Sequence, residues 1–102
     1  MKLPKSVRID GLTWAIACSK RKPGWAPAGV VGACDKCERR IWVRQQANPE
    51  ETMSSLVHEL AHAALQDYSG PLAEHMEEMV VTMIEPSLYS LLRDNDLTFI
   101  RR

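Results

Sequence analysis

A chain of 102 residues, 45 % of them apolar, has the size and make-up of one folded domain with a single modest core. Thirteen basic residues balance thirteen acidic ones, which speaks against a nucleic-acid partner, and no stretch approaches the ~18 apolar residues of a membrane span. The first ten residues lack the apolar centre of a secretory signal, and three cysteines, an odd number, suit a reducing compartment, so a cytoplasmic protein is expected.

Residues 6–10 alternate in character before Gly11, and residues 13–18 are rich in strand formers, so two short strands are expected. Residues 19–29 form a loop by composition, with Lys20, Arg21, Lys22, Pro23, Gly24 and Pro27. Trp25 within it is expected to fold back on the core rather than act as a lid. Residues 30–34 and 40–44 predict two more strands around a tight turn, with Ile41 and Val43 on one face and Trp42 on the other. The pair Cys34-x-x-Cys37 straddles that turn. A zinc knuckle there needs two further ligands, and only Cys18 remains; a redox pair would open a helix after a strand. Reduced hairpin cysteines are the expectation.

Asn48-Pro49-Glu50-Glu51 marks a helix start: Asn48 caps, Pro49 suits the first helical position, and Glu51 can complete a capping box. The helix should run to about Tyr68, where Ser69-Gly70-Pro71 stops it, and bury Met53, Leu56, Val57, Leu60, Ala61 and Ala64. A second helix is expected over residues 72–95. Its core stripe would be Val80, Ile84, Leu88 and Leu91, with Met76, Met79 and Met83 as flexible filler and a kink or break at Pro86. Residues 97–100 read as a short strand or an arm.

The first helix carries His58-Glu59-Leu60-Ala61-His62, the pattern H-E-x-x-H. Residues four apart on a helix lie one turn above each other, so two imidazoles at this spacing reach one metal ion, and Glu59 can lean over the same point as a general base. A third ligand must come from the returning helix, where Glu74, His75, Glu77 and Glu78 are in range. Helical periodicity points to Glu77; Glu78 lies one step around, and His75 would give an all-histidine set. If Zn2+ binds, it lowers the pKa of coordinated water to about 7 and polarises a carbonyl, and Glu59 takes the water proton. Peptide hydrolysis is the natural reaction class, with the substrate adding as a strand along residues 40–45. Tyr68 and Tyr89 are candidates for stabilising the oxyanion, and Asp67 for orienting a histidine. The plainer reading is a surface helix with two incidental histidines and an acidic pair early in the next helix.

The run His58-Glu59-Leu60-Ala61-His62-Ala63, then Glu78-x-x-Val81, then Leu88-Tyr89-x-x-Leu92-Arg93-Asp94-Asn95 resembles small zincin-like metallopeptidases encoded by phages and prophages. More distantly, it is similar to ImmA/IrrE-type peptidases, whose third ligand lies in a Glu-x-x-Ala-type helix. The resemblance spans about residues 7–95. It implies that Glu78, not Glu77, is the third ligand, and that the substrate is a peptide or protein, of repressor type for ImmA-like members. It also implies host cytoplasm as the compartment of a phage-encoded protein. Cys37 and the basic loop at 19–22 depart from that pattern.

The expected architecture is α+β: a small, mostly antiparallel sheet of three or four strands followed by two packed helices, minimal and zincin-like, over residues 1–102. The expected activity is zinc-dependent peptide hydrolysis, with His58, His62 and Glu78 (or Glu77) as ligands and Glu59 as base. The rivals are a metal-stabilised protein-binding module of phage or prophage origin without turnover, and a structural protein without metal.

Overall fold

In the computed structural model, which describes residues 3–65 and 74–101, the chain runs β1 (Ser6–Ile9), β2 (Leu12–Ser19), β3 (Gly32–Asp35), β4 (Arg40–Arg44), α1 (Pro49–Ala64) and α2 (Glu74–Asp94), ending in a 3-10 turn at Thr98–Arg101. Asp10 and Gly11 both take left-handed dihedrals, with φ of 52° and 77°, which suits the two-residue turn joining β1 to β2. Asp35 builds the second hairpin: its Oδ1 accepts from Cys37 N and Glu38 N, and its Oδ2 pairs with Arg40 Nε at 2.9 Å.

The sheet order is β1-β2-β4-β3, with antiparallel pairing in both hairpins and parallel pairing between β2 and β4. This is the small α+β fold expected, with one parallel junction at its centre. β4 is therefore an inner strand. The expectation that residues 40–45 offer a free edge is wrong: β1 and β3 are the edges, because β4 is paired on both sides. β3 is also shorter than expected, since Val30 and Val31 stay in the preceding loop.

The alternation in β4 sorts the two sides of the sheet. Ile41 and Val43 join Trp14 and Ile16 under Leu56 and Ala63 of α1, forming the main core. Trp42 points to the other side, where Ala26, Trp25 and Val30 of the long loop cover it. Trp25 thus folds back on the protein as expected. The Arg40 guanidinium lies 4.6 Å from its ring centre.

Asn48 caps α1 by accepting from Glu50 N at 2.9 Å, with Pro49 in the first helical position. Ala63 is buried in place of Ala64, because the sheet-facing stripe is Thr52, Leu56, Glu59 and Ala63. The stop expected at residues 69–71 lies outside the described residues.

α2 departs most from expectation. Val81 is fully buried (0 % exposed) and Glu77 nearly so, whereas Val80, Ile84, Leu91 and the methionines Met76, Met79 and Met83 are exposed, Met83 at 75 %. The helix presents Glu77, Val81 and Glu85 to its neighbour, roughly 60° around from the apolar stripe that periodicity selects. The helix also continues through Pro86, which sits on the exposed side, where the missing donor is tolerated. Residues 97–100 form no strand, and Phe99 and Ile100 are exposed. Among the described residues, no helix is long and apolar enough to cross a membrane.

Candidate metal centre

The two helices run antiparallel, as their side-chain pairings show: His62 meets Glu77 and Glu78, His58 meets Glu78 and Glu85, and Ser54 meets Glu85. Contacts that climb one helix while descending the other require opposite directions. The seam between them is lined by two imidazoles and three carboxylates.

Each imidazole nitrogen has a defined partner. His58 Nε2 lies 2.8 Å from Glu78 Oε1, and His62 Nε2 lies 2.7 Å from Glu78 Oε2. One carboxylate thus spans both rings, whose centres are 5.0 Å apart. The opposite nitrogens are held separately: His58 Nδ1 lies 3.2 Å from Glu85 Oε1, and His62 Nδ1 lies 2.6 Å from Glu77 Oε2. Glu85 is itself fixed by Ser54, whose hydroxyl donates to Oε2 at 2.8 Å. Glu77 is fixed by the Lys36 ammonium on the β3–β4 hairpin.

The donor set fits a divalent cation. A neutral imidazole has one N–H and one lone pair. Two such rings supply two donors for four carboxylate contacts, so two contacts face a lone pair, whereas doubly protonated rings would donate to all four. A cation among His58 Nε2, His62 Nε2 and Glu78 removes that conflict: each Nδ1–H donates to its own glutamate and each Nε2 lone pair is free to bind. A carboxylate behind each ligating histidine is the usual arrangement around a metal. Donor atoms of His58, His62 and Glu78 lie within 4.8 Å of one another. These three side chains would hold the ion between the two helices.

Glu59 sits beside this cluster on the sheet face of α1, only 8 % exposed. It packs against the backbone of Gly32 on the edge strand β3. A Cβ at position 32 would lie 2.9 Å from Glu59 Oε2, so glycine is what allows this approach. Burial pushes the Glu59 carboxyl up to about 7; the Glu78 charge acts in the same direction and His58 opposes it. The neighbouring Cys34 thiol is pushed up to about 12, first by burial and then by the Glu59 charge, which keeps it neutral and a poor metal ligand. All three cysteines are free.

The candidates named from the sequence fall into three groups. His58, His62, Glu77 and Glu78 are brought together, and the rivalry between the two glutamates becomes a division: Glu78 meets both Nε2 atoms, while Glu77, 9 % exposed, backs His62 from the far side. His75 is exposed and lies one turn before Glu78, and Tyr89 lies about 16 Å farther along α2, beneath Arg93. Neither reaches the cluster. Asp67, Tyr68 and the side chain of Glu74 lie outside the described residues.

Sequence reasoning missed Glu85, Ser54, Lys36 and Gly32. Glu85 carried a usable signal, since it follows Glu78 by seven residues and so shares its helical face. Ser54 lies one turn before His58, so helical spacing puts it on the histidine face. Lys36 and Gly32 had no local signal, because their partners are remote in sequence.

The chain matches no protein-family model, no curated protein and no solved structure.

Proposed function

We propose that the chain is a zinc-dependent peptidase whose ligands are His58, His62 and Glu78 and whose general base is Glu59. The observation that carries this reading is the nitrogen-by-nitrogen pairing, in which both Nε2 atoms converge on one carboxylate while both Nδ1 atoms are held by others.

Bound zinc would supply Lewis acidity to a water molecule and to a substrate carbonyl. The protein's residues do the rest. Glu85 and Glu77 hold the two rings in the tautomer that leaves Nε2 available. Glu59 accepts a proton as water attacks the carbonyl carbon, then delivers it to the departing amine. The edge strand β3, which runs past Glu59 at Gly32, offers unpaired backbone groups to an extended peptide. The resemblance to phage-encoded zincin-like peptidases supports the same reading and extends it to a protein substrate in the host cytoplasm, of the repressor type cleaved by ImmA-like members.

Zinc content and peptide cleavage, measured on wild type, His58→Ala and Glu59→Gln, test this. Zinc should be stoichiometric in wild type and Glu59→Gln and lost in His58→Ala. Cleavage should fall about 10²–10⁴-fold in Glu59→Gln. Zinc without cleavage across a broad peptide library would assign the chain to a metal-stabilised binding module. Absence of zinc from the wild type would overturn both readings.

A further inference from the structure

The β3–β4 hairpin makes a contact that neither the fold nor the ligand set requires. Its Lys36 ammonium pairs with Glu77 Oε1, while Glu77 Oε2 holds His62 Nδ1 at 2.6 Å. The hairpin is stiff at that point: Asp35, the preceding residue, accepts from two backbone amides and pairs with Arg40. Lys36 therefore delivers its charge to Glu77 from a fixed base.

Two adjacent carboxylates compete for His62. Glu77 and Glu78 lie 15 and 16 residues beyond it and contact opposite sides of its ring. Both are flexible side chains, and either can in principle turn towards a cation. Lys36 breaks this symmetry, because its ammonium pairs with Oε1 of Glu77 while Oε2 of the same carboxylate meets His62.

We infer that Lys36 is a positioning residue for the metal centre: it holds Glu77 on the Nδ1 side of His62, so that Glu78 alone meets the Nε2 atoms. This rests on the metal reading above. It also ties the β3–β4 hairpin to both helices through the side chains Lys36, Glu77 and His62.

The sign of the effect separates positioning from plain electrostatics. Removing an ammonium near a cation site makes the site more negative, so charge alone predicts tighter zinc binding in Lys36→Met. Positioning predicts weaker binding. Zinc affinity by chelator competition should be measured for wild type, Lys36→Met, Lys36→Arg, Glu77→Gln and the double variant. Thermal unfolding of each metal-free form checks that the fold is kept. We expect about tenfold weaker binding in Lys36→Met, a loss at least as large in Glu77→Gln, near-wild-type binding in Lys36→Arg, and no further loss when Lys36→Met is added to Glu77→Gln. Unchanged or tighter binding in Lys36→Met, or full additivity in the double variant, would overturn the proposal while leaving the metal reading intact. Absence of zinc binding in the wild type would bring down both.

Discussion

The two helices of this protein are buried in different ways. α1 is covered on two sides: the sheet takes Leu56, Glu59 and Ala63, and α2 meets the side that carries Ser54, His58 and His62. Among the described residues α2 is covered on one side, and that side carries Glu77, Glu78 and Glu85 around the fully buried Val81. Its methionines face outward. The first helix is thus seated by apolar burial, whereas the second meets it through one fully buried valine and carboxylate–histidine contacts. Polar groups at such a seam add little net stability for their desolvation cost, but they fix register closely. The lesson is that the α1–α2 seam is organised around carboxylate–histidine contacts, and the α1–sheet interface around a core.

Predictions that probe this contrast follow its energetics. Glu59 lies on the core side of α1, and its carboxyl is raised from 4.5 to about 7, chiefly by burial. The folded chain therefore binds more protons than the unfolded chain between those values, so stability of the metal-free protein should fall as pH rises from about 4.5 to about 7. The full effect is about 3 kcal/mol. Thermal unfolding of metal-free wild type and Glu59→Gln across this range should show a steeper decline in wild type. Equal slopes would mean that Glu59 is hydrated rather than buried.

Next in size is Gly32→Ala. Its new Cβ would meet Glu59 Oε2 at 2.9 Å, and the base would have to move. Displacing a reacting group by about 1 Å costs on the order of 10²-fold in rate, so cleavage should drop by that order while zinc content stays stoichiometric. Loss of zinc together with cleavage would show that the edge strand supports the ligands as well as the base.

Val81→Ala should cost about 2 kcal/mol in denaturant unfolding, since Val81 is fully buried at the helix seam. Met83→Ser, two residues on and facing outward, should change stability by less than about 0.5 kcal/mol. A comparable loss in both would mean that the outer face of α2 is covered in solution.

Legibility from sequence divides along the same line. The start of α1 was readable because Asn48 and Pro49 act locally, and the two faces of β4 were readable because alternation is local. Sheet order was not: pairing β2 with β4 in parallel depends on a long loop that packs through Trp25 and Ala26. The face of α2 was misread because periodicity assumes that apolar residues mark the buried side. Here three glutamates mark it, aimed at two histidines on the preceding helix. Glu77 was correctly taken to face inward, and Glu78, which the resemblance implies as third ligand, lies against both rings; neither source alone separated their two positions. Lys36 and Gly32 act across the sheet–helix boundary and leave no trace in local pattern.

The central claim is that His58, His62 and Glu78 close around a cation while Glu77 and Glu85 stand behind the rings. The most direct test is anomalous diffraction at the zinc edge from crystals grown with zinc. The account predicts one strong peak bonded to His58 Nε2, His62 Nε2 and a Glu78 oxygen, with Glu77 still on His62 Nδ1. A peak bonded to Glu77 in place of Glu78, or no peak between the two helices, would contradict it.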